Sequence, residues 1–244
     1  MSRFQILPDA VPGESTELMP CAACDVRELS ICSALRGAEI DRIAALVSRS
    51  PVAAGQTLFQ EGDEANAVYN IIGGAVRLFK LLPDGRRQIT GFLFSSDFIG
   101  LALKDRYAYS AEAITSTVVC RFPRLKLESL FEEMPRLENR LLRQASNELI
   151  AAQDQMLLLG RKTAVERLAS FLMALAHRQN HEKKGEIVDL PMTRTDIADY
   201  LGLTIETVSR GFTRLRNDGL IETPDTHSAL LCDPDGLREL TEGA

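Results

Sequence analysis

The sequence predicts an α+β fold in which a β-rich N-terminal domain is followed by one long helix and a small helical C-terminal domain. Three patterns predict it. Short apolar segments separated by glycine-containing turns fill residues 51–123. An apolar stripe without proline or glycine runs through residues 136–159, and two short helical patterns meet at Gly202. A chain of 244 residues has room for two such domains.

Composition restricts the possible function classes. The formal net charge is −6, so any contact with nucleic acid depends on a local basic face. The sequence has no run of about 18 apolar residues and no apolar signal segment, so neither a membrane span nor export is expected. The expected location is the cytoplasm, where thiols stay reduced. The five cysteines are therefore interpreted as metal ligands or buried apolar residues and not as disulfides.

The first 135 residues divide into an arm and a β-rich domain. Residues 1–20 are rich in proline, glycine, serine and threonine, as in a flexible arm. Residues 21–135 form the β-rich domain, where short, regularly spaced strands separated by turns are typical of a small barrel or roll. Three clustered cysteines open this domain: Cys21, Cys24 and Cys32.

Residues 136–160 are predicted to form one helix, about 36 Å long at 1.5 Å per residue. Its apolar side chains recur at steps of three and four, which produces a narrow stripe like the seam of a coiled coil. We expect this stripe to pair two copies of the chain, although packing on the chain's own β-domain remains open. The residues expected at the dimer seam are Leu141, Ala145, Leu149, Ala152, Met156 and Leu159.

Residues 161–244 contain a helix-turn-helix pattern between positions 192 and 221. Gly202 supplies the turn between the two helices. Threonines can cap both helices: Thr193 or Thr195 the first, and Thr204 the second. In the second helix Val208, Phe212 and Leu215 are predicted to face inward, which leaves a polar face exposed. An ordinary helical hairpin with a salt-bridged surface is the alternative.

The polar face of this second helix has the chemistry needed to read base edges. Arginine can donate two hydrogen bonds to guanine, and glutamate can accept one from cytosine. The residues predicted to read bases are Glu206, Ser209, Arg210 and Thr213. The residues predicted to contact phosphates are Arg194, Arg214 and Arg216.

Four segments resemble the Crp/Fnr family of bacterial transcription regulators. Glu206, Ser209 and Arg210 match the Fnr-type recognition motif E-x-x-S-R. The other segments resemble the β-roll and the dimerisation helix of that family: Leu58–Asp63, Gly73–Arg77 and Gln155–Leu159. The resemblance implies a cyclic-nucleotide-binding-like β-roll, a winged helix-turn-helix, and a homodimer that binds a TTGAT-type DNA palindrome. The exposed turn at residues 82–87 resembles a family surface that contacts RNA polymerase.

In this family the β-rich domain, here residues 21–135, is the sensor. Which signal it senses is predicted from the ligand-binding residues that it contains and those that it lacks. Family members that bind cyclic AMP hold its phosphate with a glutamate and an Arg-Ser pair. These are missing from the matching segments, Asp97–Leu101 and Tyr107–Ala111. A buried phosphodiester needs a compensating cation, so cyclic-nucleotide binding is not expected.

The cysteine pattern resembles that of the oxygen-sensing Fnr branch. The resemblance implies a 4Fe–4S cluster held by Cys21, Cys24, Cys32 and Cys120, with a wider gap before the third cysteine than in enteric relatives. Such a cluster would form without oxygen and favour the DNA-binding dimer. A zinc site with four cysteines, unligated thiols, or a nucleotide or haem sensor are the alternatives. Cys120 can also be read as a buried strand residue, and Cys232 as structural.

Two further expectations concern the dependence of the dimer on the cluster and the possibility of enzymatic activity. Enteric relatives carry an acidic residue in the dimer helix where this chain has Ala152, so dimerisation here is expected to depend less on the cluster. The sequence shows no glycine-rich phosphate loop, nucleophile elbow or Ser/His/Asp arrangement, so an enzyme is not expected.

Overall fold

The computed structural model describes residues 21–101 and 105–242, and the arm predicted at residues 1–20 lies outside these ranges. Its contacts divide the chain into two compact units. The first unit contains the described residues up to Lys80 together with Thr90–Leu149, and the second contains Leu81–Ile89 and the chain from Ile150 onward. The order of strands and helices confirms the predicted α+β class.

Two four-stranded sheets form the β-roll, with strand orders β1-β8-β3-β6 and β2-β7-β4-β5. Gly74 makes the turn after β3 at a φ of +91°, where a Cβ atom would clash with Thr117. The strands are β1 (Ser48–Val52), β2 (Thr57–Phe59), β3 (Ala67–Gly73), β4 (Val76–Leu81), β5 (Arg87–Leu93), β6 (Phe98–Ile99), β7 (Ser110–Ala113) and β8 (Thr117–Pro123).

Helices cover the outer face of the first sheet. They are α1 (Ala38–Ala44), α2 (Arg124–Glu133) and the beginning of α3 (Pro135–Arg161). Proline suits the first position of α3 because its missing N–H would have no partner there. Buried side chains from the cysteine segment, the sheet and α3 form one core, which includes Ile31, Phe98, Phe122 and Leu137.

The second unit has the layout of a winged helix-turn-helix. Thr163 and Glu166 form a capping box at the start of α4, and Thr193 and Asp196 form another at the start of α5. Gly202 ends α5 in the left-handed conformation. The elements are α4 (Ala164–Gln179), β9 (Ile187–Asp189), α5 (Arg194–Leu201), α6 (Ile205–Asn217), β10 (Ile221–Glu222), β11 (Ser228–Leu231) and α7 (Pro234–Glu242), with the strands ordered β10-β11-β9.

The length and hydropathy of the described helices were compared with those of a membrane span. Within residues 21–101 and 105–242, none of them combines the length and the hydropathy that a bilayer span requires.

Candidate nucleic-acid interface and cysteine pocket

Helix α6 presents a polar face to solvent because its other face is buried. Thr204 caps the helix, with its hydroxyl accepting from the Thr207 N–H at 3.2 Å. Val208, Phe212 and Leu215 are buried beneath it. Gly211 permits close packing on α4, since a Cβ atom there would lie 2.9 Å from Leu168 Cδ2. The four residues predicted to read bases are all exposed: Glu206, Ser209, Arg210 and Thr213.

Local hydrogen bonds organise this face. The Ser209 hydroxyl donates to the Ile205 carbonyl at 2.9 Å, and the Thr213 hydroxyl donates to the Ser209 carbonyl at 3.1 Å. Hydrogen bonds from the backbone of Glu206 and from the Thr204 side chain lower the pKa of Glu206, and the charge of Arg210 lowers it further. The face therefore presents a carboxylate acceptor beside a guanidinium donor.

The three arginines predicted to contact phosphates occupy different environments. Arg214 and Arg216 are exposed on α6, and Arg216 Nη2 donates to the Thr213 hydroxyl at 3.2 Å. Arg194 is half-buried, and its guanidinium carbon lies 3.4 Å from the centroid of the Phe212 ring. Burial, with the charge of Arg216, lowers the pKa of Arg194 to about 10, so it is still a cation at neutral pH. Arg194 thus packs against α6 as part of the unit's own structure.

The four cysteines predicted as cluster ligands line one cavity in the first unit. Cys21 begins a short 3-10 turn and Cys24 follows it, Cys32 lies in a second turn, and Cys120 is on β8. Cys232, predicted to be structural, lies in the second unit with its thiol 3.9 Å from the Leu230 carbonyl. All five cysteines are free thiols.

The cysteine segment is fixed to the rest of the first unit at its middle. The buried Ser30 hydroxyl accepts from the Cys32 N–H at 3.2 Å. Ile31 is fully buried in the same core as Leu137 of α3. Arg140, one helical turn further along α3, donates from Nη2 to the Leu29 carbonyl at 2.9 Å. The cavity is thus connected by direct contacts to the first turns of the long helix.

Burial controls the protonation of the two innermost thiols. It raises the pKa of Cys32 to about 12, and the other cysteines of the cavity add to this effect. It also raises the pKa of Cys120 to about 11, although the nearby charge of Arg49 opposes the rise. Without a metal, both side chains are therefore protonated at neutral pH.

The donor set and the wall of the cavity fit a sulfur-ligated, negatively charged group. Four thiols face the cavity, and two polar side chains beside them have buried atoms without a hydrogen-bond partner, Arg49 Nη2 and Asn70 Oδ1. Among the residues of the described ranges, no group of three or more histidine, cysteine, aspartate or glutamate side chains is arranged to hold a metal ion.

The apolar stripe of α3 is partly exposed. Leu149, Ala152 and Met156 face solvent, whereas Ala145 and Leu159 are half-buried. Leu141, expected at the dimer seam, is 9% exposed and belongs to the core of the first unit because it packs with Leu137 and the cysteine segment. Leu142 is 58% exposed and lies seven residues before Leu149, so it continues the stripe in place of Leu141.

Aromatic rings fill the interior of the β-roll, which the sequence patterns did not predict. Phe59 stacks on Tyr107 with 3.8 Å between ring centroids, and Tyr69 and Tyr109 lie within 5.8 Å of Phe59. In the sequence, the segment that contains Tyr107 and Tyr109 was interpreted only through the absence of an Arg-Ser pair. Two tyrosines at alternate positions of this segment were the signal that could have indicated an aromatic interior.

Comparison with known proteins gives family matches for both units. The model of a cyclic nucleotide-binding domain matches residues 49–134, and that of a Crp-like helix-turn-helix domain matches residues 166–240. The chain is 45% identical to the nitrogen fixation regulation protein FixK of Bradyrhizobium diazoefficiens over 202 residues, which are 82% of this chain and 85% of FixK.

A second relative and a solved structure agree with these matches. The transcriptional activator protein FnrL of Cereibacter sphaeroides is 37% identical over 223 residues, covering 89% of this chain and 90% of FnrL. The structure of FixK2 from Bradyrhizobium japonicum superimposes with a TM-score of 0.76 at 37% identity, covering 81% of this chain and 98% of FixK2.

Proposed function

Because this chain belongs to the Crp/Fnr family of DNA-binding transcription regulators, we propose that it is an Fnr-type activator that responds to low oxygen. In this proposal a homodimer binds a TTGAT-type palindrome, and a 4Fe–4S cluster is the sensor. Membership of the family confirms that the chain is a regulator and not an enzyme.

The observation that carries the proposal is the convergence of four cysteines on one cavity. Three come from the N-terminal segment, and the fourth comes from a strand far along the chain. Cys21, Cys24, Cys32 and Cys120 would hold the cluster as thiolates. When bound, an iron–sulfur cluster supplies a group that oxygen can oxidise and break down.

The chain's own contacts support a route from the cavity to the dimer helix. Ile31 and Leu35, on either side of Cys32, share a core with Leu137 and Leu141 of α3. The bond from Arg140 to the Leu29 carbonyl adds a polar contact at the same place. Ligation of the cysteines would order the segment that packs on α3, and a ligand that favours one arrangement of the chain shifts the population towards it.

Helix α6 supports the reading of bases. Its exposed face combines the Arg210 donor with the Glu206 acceptor, and Arg214 and Arg216 lie beside them for phosphate contacts. In a two-fold dimer the two α6 helices would enter successive major grooves, about 34 Å apart.

The β4–β5 turn is proposed to contact RNA polymerase. Leu81 and Leu82 on its flank are 63% and 41% exposed, and Asp84 pairs with Arg86 at 2.8 Å. Exposed apolar side chains next to charges suit a surface that a partner protein covers.

The cluster is tested by iron and acid-labile sulfide analysis of protein purified without oxygen. Wild type is expected to contain about four of each per chain. Cys→Ala at position 21, 24, 32 or 120 should remove most of both, whereas Cys232→Ala is the matched control and should keep them. A normal iron content after any of the four substitutions would exclude that residue as a ligand. Zinc in place of iron would favour the structural zinc site.

DNA reading is tested by fluorescence anisotropy with a TTGAT palindrome and with palindromes changed at one position of each half-site. Arg210→Ala is expected to weaken binding at least tenfold and to reduce discrimination, because a bidentate contact to guanine is worth about 1–3 kcal/mol. Lys184→Ala removes an exposed charge from the polar loop after α4 and is the control. Equal affinity and selectivity for Arg210→Ala and wild type would contradict the proposed readout.

A further inference from the structure

Three side chains lie in a row across the sheet beneath the cysteine cavity. In the strand register Cys120 of β8 is directly opposite Arg49 of β1 on one side and Asn70 of β3 on the other. Residues directly opposite one another project to the same face of a sheet. All three line the cavity, so the fourth cysteine has a guanidinium on one side and a carboxamide on the other.

Each polar neighbour has one buried atom that the protein leaves without a hydrogen-bond partner. Arg49 Nη2 and Asn70 Oδ1 are buried and have no hydrogen-bond partner, and Asn70 as a whole is only 2% exposed. Burial of an unpaired polar group or charge is unfavourable by itself. The buried donor Arg49 Nη2 is therefore explained if an occupant of the cavity supplies negative charge and hydrogen-bond acceptors, and Asn70 fits the same occupant when its amide is turned so that the –NH₂ group takes the place of Oδ1.

We infer that Arg49 and Asn70 form a polar clamp for the iron–sulfur cluster, in which Arg49 supplies the compensating positive charge and Asn70 an amide that hydrogen-bonds to sulfur. This inference rests on the proposed cluster. Four thiolates leave a cluster with net negative charge, and hydrogen bonds and nearby charges control the stability and reduction potential of such groups. The amide of Asn70 donates when its –NH₂ group faces the cavity, and the two orientations of an asparagine amide have nearly the same shape.

The clamp makes two measurable contributions. A fixed positive charge attracts the anionic cluster and slows loss of its iron. It also favours the reduced form over the oxidised form, because reduction adds one negative charge to the cluster. Arg49 and Asn70 are therefore positioning residues, and their substitution should change the chemistry of the cluster while the cysteine ligands stay in place.

Iron retention is the first test. Holo-protein without oxygen is mixed with an excess of a ferrous-iron chelator, and loss of the visible absorption is followed with time. Arg49→Gln is expected to lose iron about tenfold faster than wild type, which is the size of effect seen when a residue that contacts metal ligands is removed. Arg49→Lys keeps the charge and should restore most of the retention. Arg121→Gln is the matched control, because Arg121 follows Cys120 but is exposed and projects to the opposite face of the strand.

The reduction potential is the second test, and it separates charge from packing. In titrations with dithionite, Arg49→Gln should shift the midpoint potential to more negative values because it removes a positive charge, and Asn70→Asp should do so because it replaces the two N–H donors of the amide with a carboxyl group. Arg49→Lys and Arg121→Gln should leave it near that of wild type. If Arg49→Gln does not fold, as judged by circular dichroism, the potential of Asn70→Asp decides.

The outcomes distinguish the clamp from the cluster itself. A wild-type protein without iron and sulfide overturns the proposed function, and the clamp with it. A wild-type protein that binds the cluster, with Arg49→Gln and Asn70→Asp matching it in retention and potential, overturns the clamp alone.

Discussion

The guanidinium carbon of Arg194 lies over the ring of Phe212, 3.4 Å from its centroid, and so connects the first helix of the helix-turn-helix to the second. A half-buried cation–π contact of this kind contributes about 1–2 kcal/mol. We expect Arg194→Ala to lower the free energy of unfolding of the second unit by about that amount. The measurement is chemical denaturation of the protein without DNA.

Arg214→Ala gives the contrast, because Arg214 is exposed and its partner Asp218, 3.6 Å away, is also at the surface, where an ion pair contributes little and the guanidinium can turn to a phosphate. It should reduce the slope of log K against log salt by about one while leaving stability unchanged. Arg194→Ala should leave that slope unchanged. A reduced slope for Arg194→Ala would instead return Arg194 to the phosphate contacts that the sequence predicted.

The dimer seam makes a second prediction. Leu149 is 62% exposed in the middle of the α3 stripe, and Leu142 and Met156 lie seven residues to either side. Leu149→Glu would bury two like charges at a two-fold seam, so we expect a monomer by sedimentation velocity. Asn147→Glu introduces the same charge on the opposite side of the helix and should leave a dimer. A dimeric Leu149→Glu variant would mean that the stripe packs elsewhere.

Local patterns predicted much of the C-terminal unit, because caps, turn glycines and the 3.6-residue period all act within a few residues. The exposed face of α6 and the cap Thr204 were predicted in this way, and Thr193 was one of the two candidates for the cap of α5, with Thr195. Which residues of a helix face inward is predicted less precisely. Leu141 and Leu142 differ by one step of 100° around the helix axis, and the packing of the first unit decides which of them is buried.

The cysteine cavity depends on contacts between residues far apart in sequence. No local pattern connects Cys120 with the N-terminal cysteines, and only the family resemblance connected them before the structure did. Arg49 and Asn70 gave no signal in the sequence, because they are identified only by strand register and by one buried, unpartnered atom in each side chain. In a short strand with alternating apolar and polar residues, the polar residues are normally predicted to face solvent.

Ala152 makes a third prediction, on the dependence of the dimer on its cluster. The side chain is exposed on the α3 stripe, three residues after Leu149, and carries no charge. Wild type is therefore expected to remain dimeric after its iron is removed. Ala152→Asp places two carboxylates near the two-fold axis, so this variant should be a dimer with its cluster and a monomer without it.

Sedimentation velocity measures the oligomeric state of wild type and of Ala152→Asp, each with and without its cluster. Ala152→Ser, which is small and uncharged, is the control and should behave as wild type. A wild type that dissociates on loss of iron would show that ligation of the cysteine segment is needed for the dimer even without repulsion at this position.

The tyrosine at the centre of the β-roll makes the final prediction. The Tyr107 hydroxyl donates to the Ala67 carbonyl at 2.6 Å and accepts from the Ala67 N–H at 3.3 Å. Burial raises the pKa of Tyr107 to about 12, with a smaller effect from Tyr69. In the unfolded chain a tyrosine titrates near pH 10, so the folded state holds this proton more tightly. The resulting stability is complete below about pH 10 and is lost as the pH rises towards 12.

Tyr107→Phe should therefore have two effects. At neutral pH it removes the partner of two buried backbone groups and lowers the free energy of unfolding by about 1–2 kcal/mol. Above about pH 10 its stability should fall less steeply than that of wild type, because one raised pKa has been removed. Denaturation at a series of pH values measures both, and parallel curves for the two proteins in the alkaline range would show that ionisation of Tyr107 is not coupled to unfolding.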